Sequence, residues 1–423
     1  MAKDIFENYI KIKNSNNYKD NNSTDNHKLE KEPYKINENN SENDESPISK
    51  YIEDSIEIIT KTMIDSINSR VNTAVGNINN SSYATADYTS IYDIAITGGK
   101  VIIPGIGVFL ANIGVKDGKI STVTNIKINA KQNIDASDKY VSPGIIDPHV
   151  HLGLFAPFDK ELETETKAAI SGGVTTLGCY IGNEGSHFNK FYEIEKEIIE
   201  LSSTDIVPHL IINNDIQKKE IKDYVDSLKV TSFKLYMNGV PGIVPDVDDG
   251  FILDVFDEIK KTGKKCIVCV HTENKDLVKR ATEKIKDECK LKANMTDWGN
   301  THPEIAEEEA VIRLSYLAQK MAVDVYMVHI SSAAAIKRLR SLKSSNKYIN
   351  IETTSPYLSI NNKSTDSNII KMEPPFRSTE DVEEIWSGVI DGTIDSIGTD
   401  TVTMTKLEKN MQDKNIWNVL PGY

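Results

Sequence analysis

Gly144-Ile145-Ile146-Asp147-Pro148-His149-Val150-His151 decides how this chain is read. Strand side chains alternate between two faces, so His149 and His151, one residue apart, point the same way. The apolar run before them suits a buried parallel strand, and the pair falls at its C-terminal end. A (β/α)8 barrel keeps its chemistry at that end of its strands. Such a fold requires seven more strands, separated by helices.

Working outward, strands and helices alternate after residue 141. Eight candidate strands span 145–151, 174–181, 206–212, 232–237, 266–271, 324–331, 349–354 and 394–400. Helical patterns fill the gaps, for example over 190–201 and 304–320. An open doubly wound sheet is the alternative, but no Gly-rich dinucleotide fingerprint follows an early strand. The expected fold is therefore α/β, a TIM-like (β/α)8 barrel over 141–423.

Residues 93–140 read as a small β unit, an incomplete β-sandwich placed before the barrel. Asp93–Thr97 alternates, Gly98-Gly99 breaks the pattern, and Val101–Ile103 resumes it. Asp117-Gly118 between apolar alternations is a hairpin signal. Residues 1–92 differ from the rest, being rich in Asn, Ser, Asp, Glu and Lys, and are expected to form a mostly disordered extension. One amphipathic helix is expected there, over about 47–72, with Ile48, Ile52, Ile56, Ile59, Met63, Ile67 and Val71 on one face. Pro47 suits its first turn. That face would be buried on the chain's own catalytic domain, in self-association, or on an assembly partner.

Composition narrows the partners. The 423 residues carry 49 basic and 63 acidic side chains, a net charge of −14, which argues against nucleic acid or an anionic membrane. Four cysteines form no disulfide framework at this length, so the reducing cytoplasm is the expected location. Cys266-Ile-Val-Cys269 matches a CxxC spacing, but in an apolar strand the two thiols face opposite sides and read as core. No run of about 18 apolar residues predicts a membrane span, and the polar N-terminus lacks a signal-peptide core.

The strand ends carry a consistent set of groups: His149 and His151 on the first, Lys234 on the fourth, His271 on the fifth, His329 on the sixth and Asp400 on the eighth. Imidazole and carboxylate suit zinc and similar divalent ions. One such residue alone is more often a satisfied core group, and a lone Lys more often a snorkelling one. Six in order, each at a strand end, make a metal site. His209 reads as structural, His27 as part of the tail, and His187 and His302 as loop residues with a minor prospect of substrate contact.

This order resembles the amidohydrolase superfamily and, within it, the cyclic amidohydrolases: hydantoinases, dihydropyrimidinases, allantoinases and dihydroorotases. The resemblance covers about 93–423. It extends to Glu163–Thr176, Pro303–Val311, Glu352–Leu358 and Lys371-Met-Glu-Pro-Pro-Phe-Arg377. It implies a hydrolase acting on carbon–nitrogen bonds in cyclic amides, with two divalent metal ions, zinc by expectation. His149, His151 and Asp400 would hold one ion, and His271 and His329 the other. Lys234, as a carbon dioxide-derived carbamate, would bridge them. Carbamate formation requires a neutral amine, and burial lowers a lysine pKa. A bridging hydroxide would attack the ring carbonyl, with Asp400 as proton shuttle. A small-molecule ring substrate and a homo-oligomer are likewise implied.

The chain departs from the family pattern at five positions. Gly153 stands where a dihydroorotase typically has an Arg for the substrate carboxylate. Gly239 stands where hydantoinases place a Tyr five residues after the bridging Lys, with Tyr236 nearby in another register. Thr401 replaces a usual His, and Ser355-Pro356 stands where relatives often show Pro-His. The sequence also stops at Leu420-Pro-Gly-Tyr423, before the family's last barrel helix and closing strands. A truncated product, a second chain, or cover by the 48–71 helix would each account for that. An alternative reading follows from these departures: a catalytically impaired subunit with a structural or assembly role.

Overall fold

The computed structural model describes residues 91–289, 292–364, 368–411, 413 and 415–422. The extension up to residue 90, with the helix expected over 47–72, lies outside the described residues. The chain divides at Pro143 and Gly144 into two compact units.

The first unit is a five-stranded sheet. Strands β1 (Ile91–Ile103), β2 (Gly107–Lys116), β3 (Lys119–Thr124) and β4 (Asn129–Asp135) lie in the order β3-β2-β1-β4, and β5 (Tyr140–Val141) also pairs with β1. Asp117 and Gly118 form the two-residue turn between β2 and β3, both with positive φ, 51° and 70°. That is the backbone a tight hairpin of matching twist demands, and Gly supplies it at little cost. The break expected at Gly98-Gly99 is instead a bulge. β1 runs through, its register with β2 shifts between Ile96 and Gly99, and Gly98 N–H donates to Asn112 Oδ1 at 2.9 Å. A local repair of the ladder does not show in apolar alternation.

The second unit is α/β, built on a curled sheet whose barrel-like strands are parallel. The strands are β6 (Ile145–His151), β7 (Val174–Ile181), β8 (Asp205–Ile211), β9 (Ser232–Tyr236), β10 (Ile267–His271), β11 (Asp324–Met327), β12 (Ile349–Thr354), β13 (Ser396–Gly398) and β14 (Thr401–Val402). They are ordered β13-β12-β11-β10-β9-β8-β7-β6-β14. The expected eighth strand is thus two short pieces separated by Thr399-Asp400. β13 pairs with β12, and β14 pairs with β6, giving a TIM-barrel-like arrangement. Each expected strand has a counterpart, the sixth being shorter because Val328–Ser331 leave the ladder.

The longer helices lie between the strands: α1 (Phe158–Ser171), α2 (Phe188–Leu201), α3 (Asp249–Thr262), α4 (Lys275–Cys289), α5 (Glu304–Met321), α6 (Ala333–Lys343) and α7 (Thr379–Asp391). Their ends follow local chemistry. Ser378 and Asp381 form a reciprocal capping box at the start of α7, and Gly392 ends it in the left-handed region. None of the described helices is long and apolar enough to cross a membrane.

Burial explains the strand composition. β9 is buried along its whole length, as a strand covered on both faces must be. Outward residues such as Phe233, Leu235, Val268 and Val270 join the helices in the large core. Inward residues Tyr180, Ile211, Tyr236, Cys269 and Val328 form a second, smaller cluster. Cys266 and Cys269 are both buried free thiols. Cys266 Sγ lies 3.8 Å from Thr262 Oγ1 and Cys269 Sγ lies 3.5 Å from Ser232 Oγ, so they are separate core groups.

Candidate metal centre

Strand alternation sends His149 and His151 of β6, Lys234 and Tyr236 of β9, and Cys269 and His271 of β10 inward. The β9–β10 register sets Cys269 beside Lys234 and His271 beside Tyr236. His329 follows β11, and Asp400 sits between β13 and β14. Both adopt the left-handed region, with φ 44° and 57°. L side chains other than Gly rarely do so, and such residues cluster at functional sites.

The structure brings all six sequence-expected residues together. His149 Nε2 and His151 Nε2 lie 3.2 Å apart. Asp400 Oδ1 is 3.0 Å from the first and 3.2 Å from the second. On the opposite side, His271 Nδ1 lies 3.0 Å from His329 Nε2. His151, Lys234, His271, His329 and Asp400 line one cavity. All six side chains are buried or nearly so, with Lys234 fully inaccessible.

Carboxylates behind the histidines set which nitrogens face inward. His149 Nδ1–H donates to Glu352 Oε1 at 2.7 Å, which leaves Nε2 on the cavity side. His271 Nε2–H donates to Glu273 Oε2 at 2.8 Å, which turns Nδ1 toward His329 on the cavity side. Metal-ligating histidines are held by partners of this kind. Glu352 also accepts from His329 N–H at 3.1 Å and from Tyr326 O–H at 2.7 Å, tying three strands to one carboxyl group. Asp147 does the equivalent for Asp400. It accepts from His149 N–H at 3.2 Å, Thr399 N–H at 3.0 Å and Thr399 Oγ1–H at 2.7 Å, fixing the loop beside Asp400.

The donor set fits divalent metal. Tetrahedral ligands at about 2.0–2.1 Å from zinc sit roughly 3.3 Å from one another, close to the separations seen here. Lys234 Nζ and His329 Nδ1 are buried with no hydrogen-bond partner. Burial, only partly opposed by Asp400, brings the Lys234 amine down to about 8. Its Nζ lies 4.5 Å and 4.9 Å from the ring centres of Tyr180 and Tyr236. Burial disfavours the His149 imidazolium, yet Asp400 and Glu352 outweigh it and hold the group up at about 9. A field that retains a proton this firmly attracts any cation. Burial opposes ionisation of Asp400, but His149 and His151 keep its carboxyl well below the usual range.

Other histidines divide. His209 is structural, as expected: Nδ1 lies 2.5 Å from Ser232 Oγ, its ring stacks on Tyr180, and burial lowers it to about 3. His187 Nε2–H donates to Ile211 O at 2.8 Å and is also internal. His302 belongs to a second cluster with Glu273 and Glu373. Its Nδ1 lies 3.0 Å from Glu273 Oε1, and its Nε2 lies 4.0 Å from Glu373 Oε1.

Two glycines that depart from the family pattern are required by backbone geometry. Gly153 has φ +80°, and its N–H donates to Glu161 Oε2 at 2.6 Å. A Cβ on Gly239 would lie 2.5 Å from Asp246 N and Val244 O, so no tyrosine can stand there. Tyr236 instead lines the cavity. Sequence reasoning missed Asp147, Tyr180, Glu273 and Glu352 as site residues. The signal for Asp147 was its place two residues before His149, and for Glu273 its place two residues after His271.

Comparisons with known proteins agree on the neighbourhood. No family model matches the chain. It is 25% identical over 369 residues to an L-hydantoinase of Paenarthrobacter aurescens, covering 78% of this chain and 73% of that protein. A D-hydantoinase of Geobacillus stearothermophilus is 28% identical over 319 residues, covering 71% and 65%. A dihydroorotase of Staphylococcus aureus is 30% identical over 289 residues, covering 66% and 65%. Among solved structures, a D-hydantoinase superposes with a TM-score of 0.71 at 25% identity, covering 78% of this chain and 73% of that one. The matches thus span 65–73% of these relatives' own lengths.

Proposed function

The chain belongs to the amidohydrolase superfamily, among its cyclic amidohydrolases, and from that premise we propose that it opens a cyclic amide ring by metal-dependent hydrolysis. The ring class is a hydantoin, a dihydropyrimidine or a related ureide. The observation that carries this reading is the convergence of five histidine and carboxylate groups on a buried, unpartnered Lys234 amine.

His149, His151 and Asp400 would hold one divalent ion, His271 and His329 a second, and a carbamate on Lys234 would bridge them. When bound, the ions, zinc in our reading, supply an activated water and polarise the scissile carbonyl. The chain's own residues do the rest. Glu352 and Glu273 hold their histidines so that His149 Nε2 and His271 Nδ1 face inward. Lys234, neutral in a substantial fraction near pH 8, can take up carbon dioxide. Asp400 Oδ1 accepts a proton from the attacking water and returns it to the ring nitrogen. The water oxygen joins the carbonyl carbon, the carbon–nitrogen bond breaks, and the nitrogen leaves protonated.

The test uses the full chain loaded with zinc and bicarbonate, with hydantoin and dihydrouracil as substrates and ring opening followed by absorbance. Turnover lost to a chelator and restored by zinc is the expected result. A folded protein holding its metal that opens no ring would overturn the reading.

A further inference from the structure

Glu373 stands where the metal-side cavity meets a larger neighbouring cavity of about 450 Å³, and it lines both. Its side chain is only 6% exposed. Asn238 Nδ2–H reaches Oε1 at 3.3 Å, and His302 Nε2 stays 4.0 Å away. A carboxylate has about four lone-pair sites for donors, and a buried one left short of donors is costly. A donor on a bound molecule would occupy the sites that Asn238 leaves open.

The surrounding charges add a second observation. Among residues lining the metal-side cavity, Lys234, Asp400 and Glu373 are the charged ones, and the first two belong to the proposed ligand set. No arginine lines that cavity, and the backbone at Gly153 is bent to φ +80° with Phe158 against it. Within the metal-side cavity an anionic ring would thus meet the Glu373 carboxylate with no arginine to answer it, Lys275, Lys279, Lys286 and Lys371 lining the neighbouring cavity instead, whereas a ring N–H would meet an acceptor.

We propose that Glu373 sets substrate specificity: its carboxylate takes a hydrogen bond from the ring N–H of a neutral cyclic amide and turns away rings bearing a carboxylate. This rests on the ring-hydrolase reading and names the substrate class within it. Like charges placed against a ligand give discrimination by repulsion as much as by attraction.

Calorimetric binding of uracil and orotate to the full-length protein tests the proposal, because these planar rings differ by one carboxylate and need not turn over. Wild type should bind uracil more tightly by about tenfold or more, roughly 1.4 kcal/mol per tenfold. Glu373→Gln should narrow that preference by about tenfold with metal content per chain unchanged, and Glu373→Asp should keep it. A purely structural Glu373 would shift melting temperature or metal content and leave the preference alone. An unchanged preference in Glu373→Gln, a wild type that binds orotate as well as uracil, or no binding of either ring overturns the proposal. Should Glu373→Gln fail to fold, the wild-type and Glu373→Asp preferences decide. Ring opening by wild type is scored separately. Charge-dependent binding without turnover would retain this role for Glu373 and discard the hydrolase reading, and turnover with an unmoved preference would do the reverse.

Discussion

Two clusters of ligand-type residues lie in the barrel-like unit, His149–His151–Asp400 and Glu273–His302–Glu373, and their ligand atoms are similarly close. Their chemistry differs. In the first, two imidazole nitrogens and a carboxylate oxygen crowd one point, and Glu352 takes the outer N–H of His149. That crowding calls for a cation. In the second, His302 directs its nitrogens toward two carboxylates, which raise its pKa against the opposing effect of burial. The cluster answers its own charge. Proximity of histidine and carboxylate is therefore no sign of a metal by itself; what matters is where the N–H groups point. Glu273 connects the two regions, since it also holds His271.

The largest effect should come from emptying the first cluster. His149→Ala is expected to lower kcat/KM by about a thousandfold or more and to remove bound metal, as loss of a ligand does. His302→Asn should keep its metal, measured by elemental analysis. Equal loss of metal in both would break the distinction.

Next come the carboxylates behind the histidines. Glu352→Gln and Glu273→Gln should each weaken metal affinity by about 10–100-fold, the usual consequence of losing such a partner. Competition against a chromogenic chelator measures it. An unaffected Glu273→Gln would detach the second cluster from the metal centre.

Lys234 sharpens the comparison through pH. Its amine, depressed to about 8, is charged below that value and neutral above it. Carbamate formation needs the neutral form, so it is favoured as pH rises. Reactivation of stripped protein by zinc, with dissolved carbon dioxide held at the same concentration at each pH, should be about tenfold faster at pH 8 than at pH 6.5, following the neutral fraction. A flat profile between these values contradicts a carbamate step limited by this amine. The smallest effect belongs to Asn238→Ala, which removes one long hydrogen bond to Glu373. Ring affinity should change by about fivefold or less, one net bond of about 1 kcal/mol.

Much of this architecture is legible in the residues. Apolar runs alternating with helical patterns placed the barrel strands, and the His149–His151 spacing placed an inward pair at a strand end. Asp117-Gly118 announced its turn. Other features depend on neighbours in space. Glu352 is 203 residues from His149, and only the curl of the sheet joins them. Tyr180 reads as an ordinary strand aromatic until Lys234 is seen against its ring. The division of the eighth strand follows from Asp400 turning left-handed, a conformation that Asp permits but does not announce. The meaning of Gly239 was a missing tyrosine in sequence and a backbone contact in space.

Metal content per chain, by elemental analysis of the purified monodisperse protein, tests the central claim most directly. About two divalent ions per wild-type chain, falling in His149→Ala and held in His302→Asn, is the predicted result. A folded protein grown with zinc that binds none would contradict it.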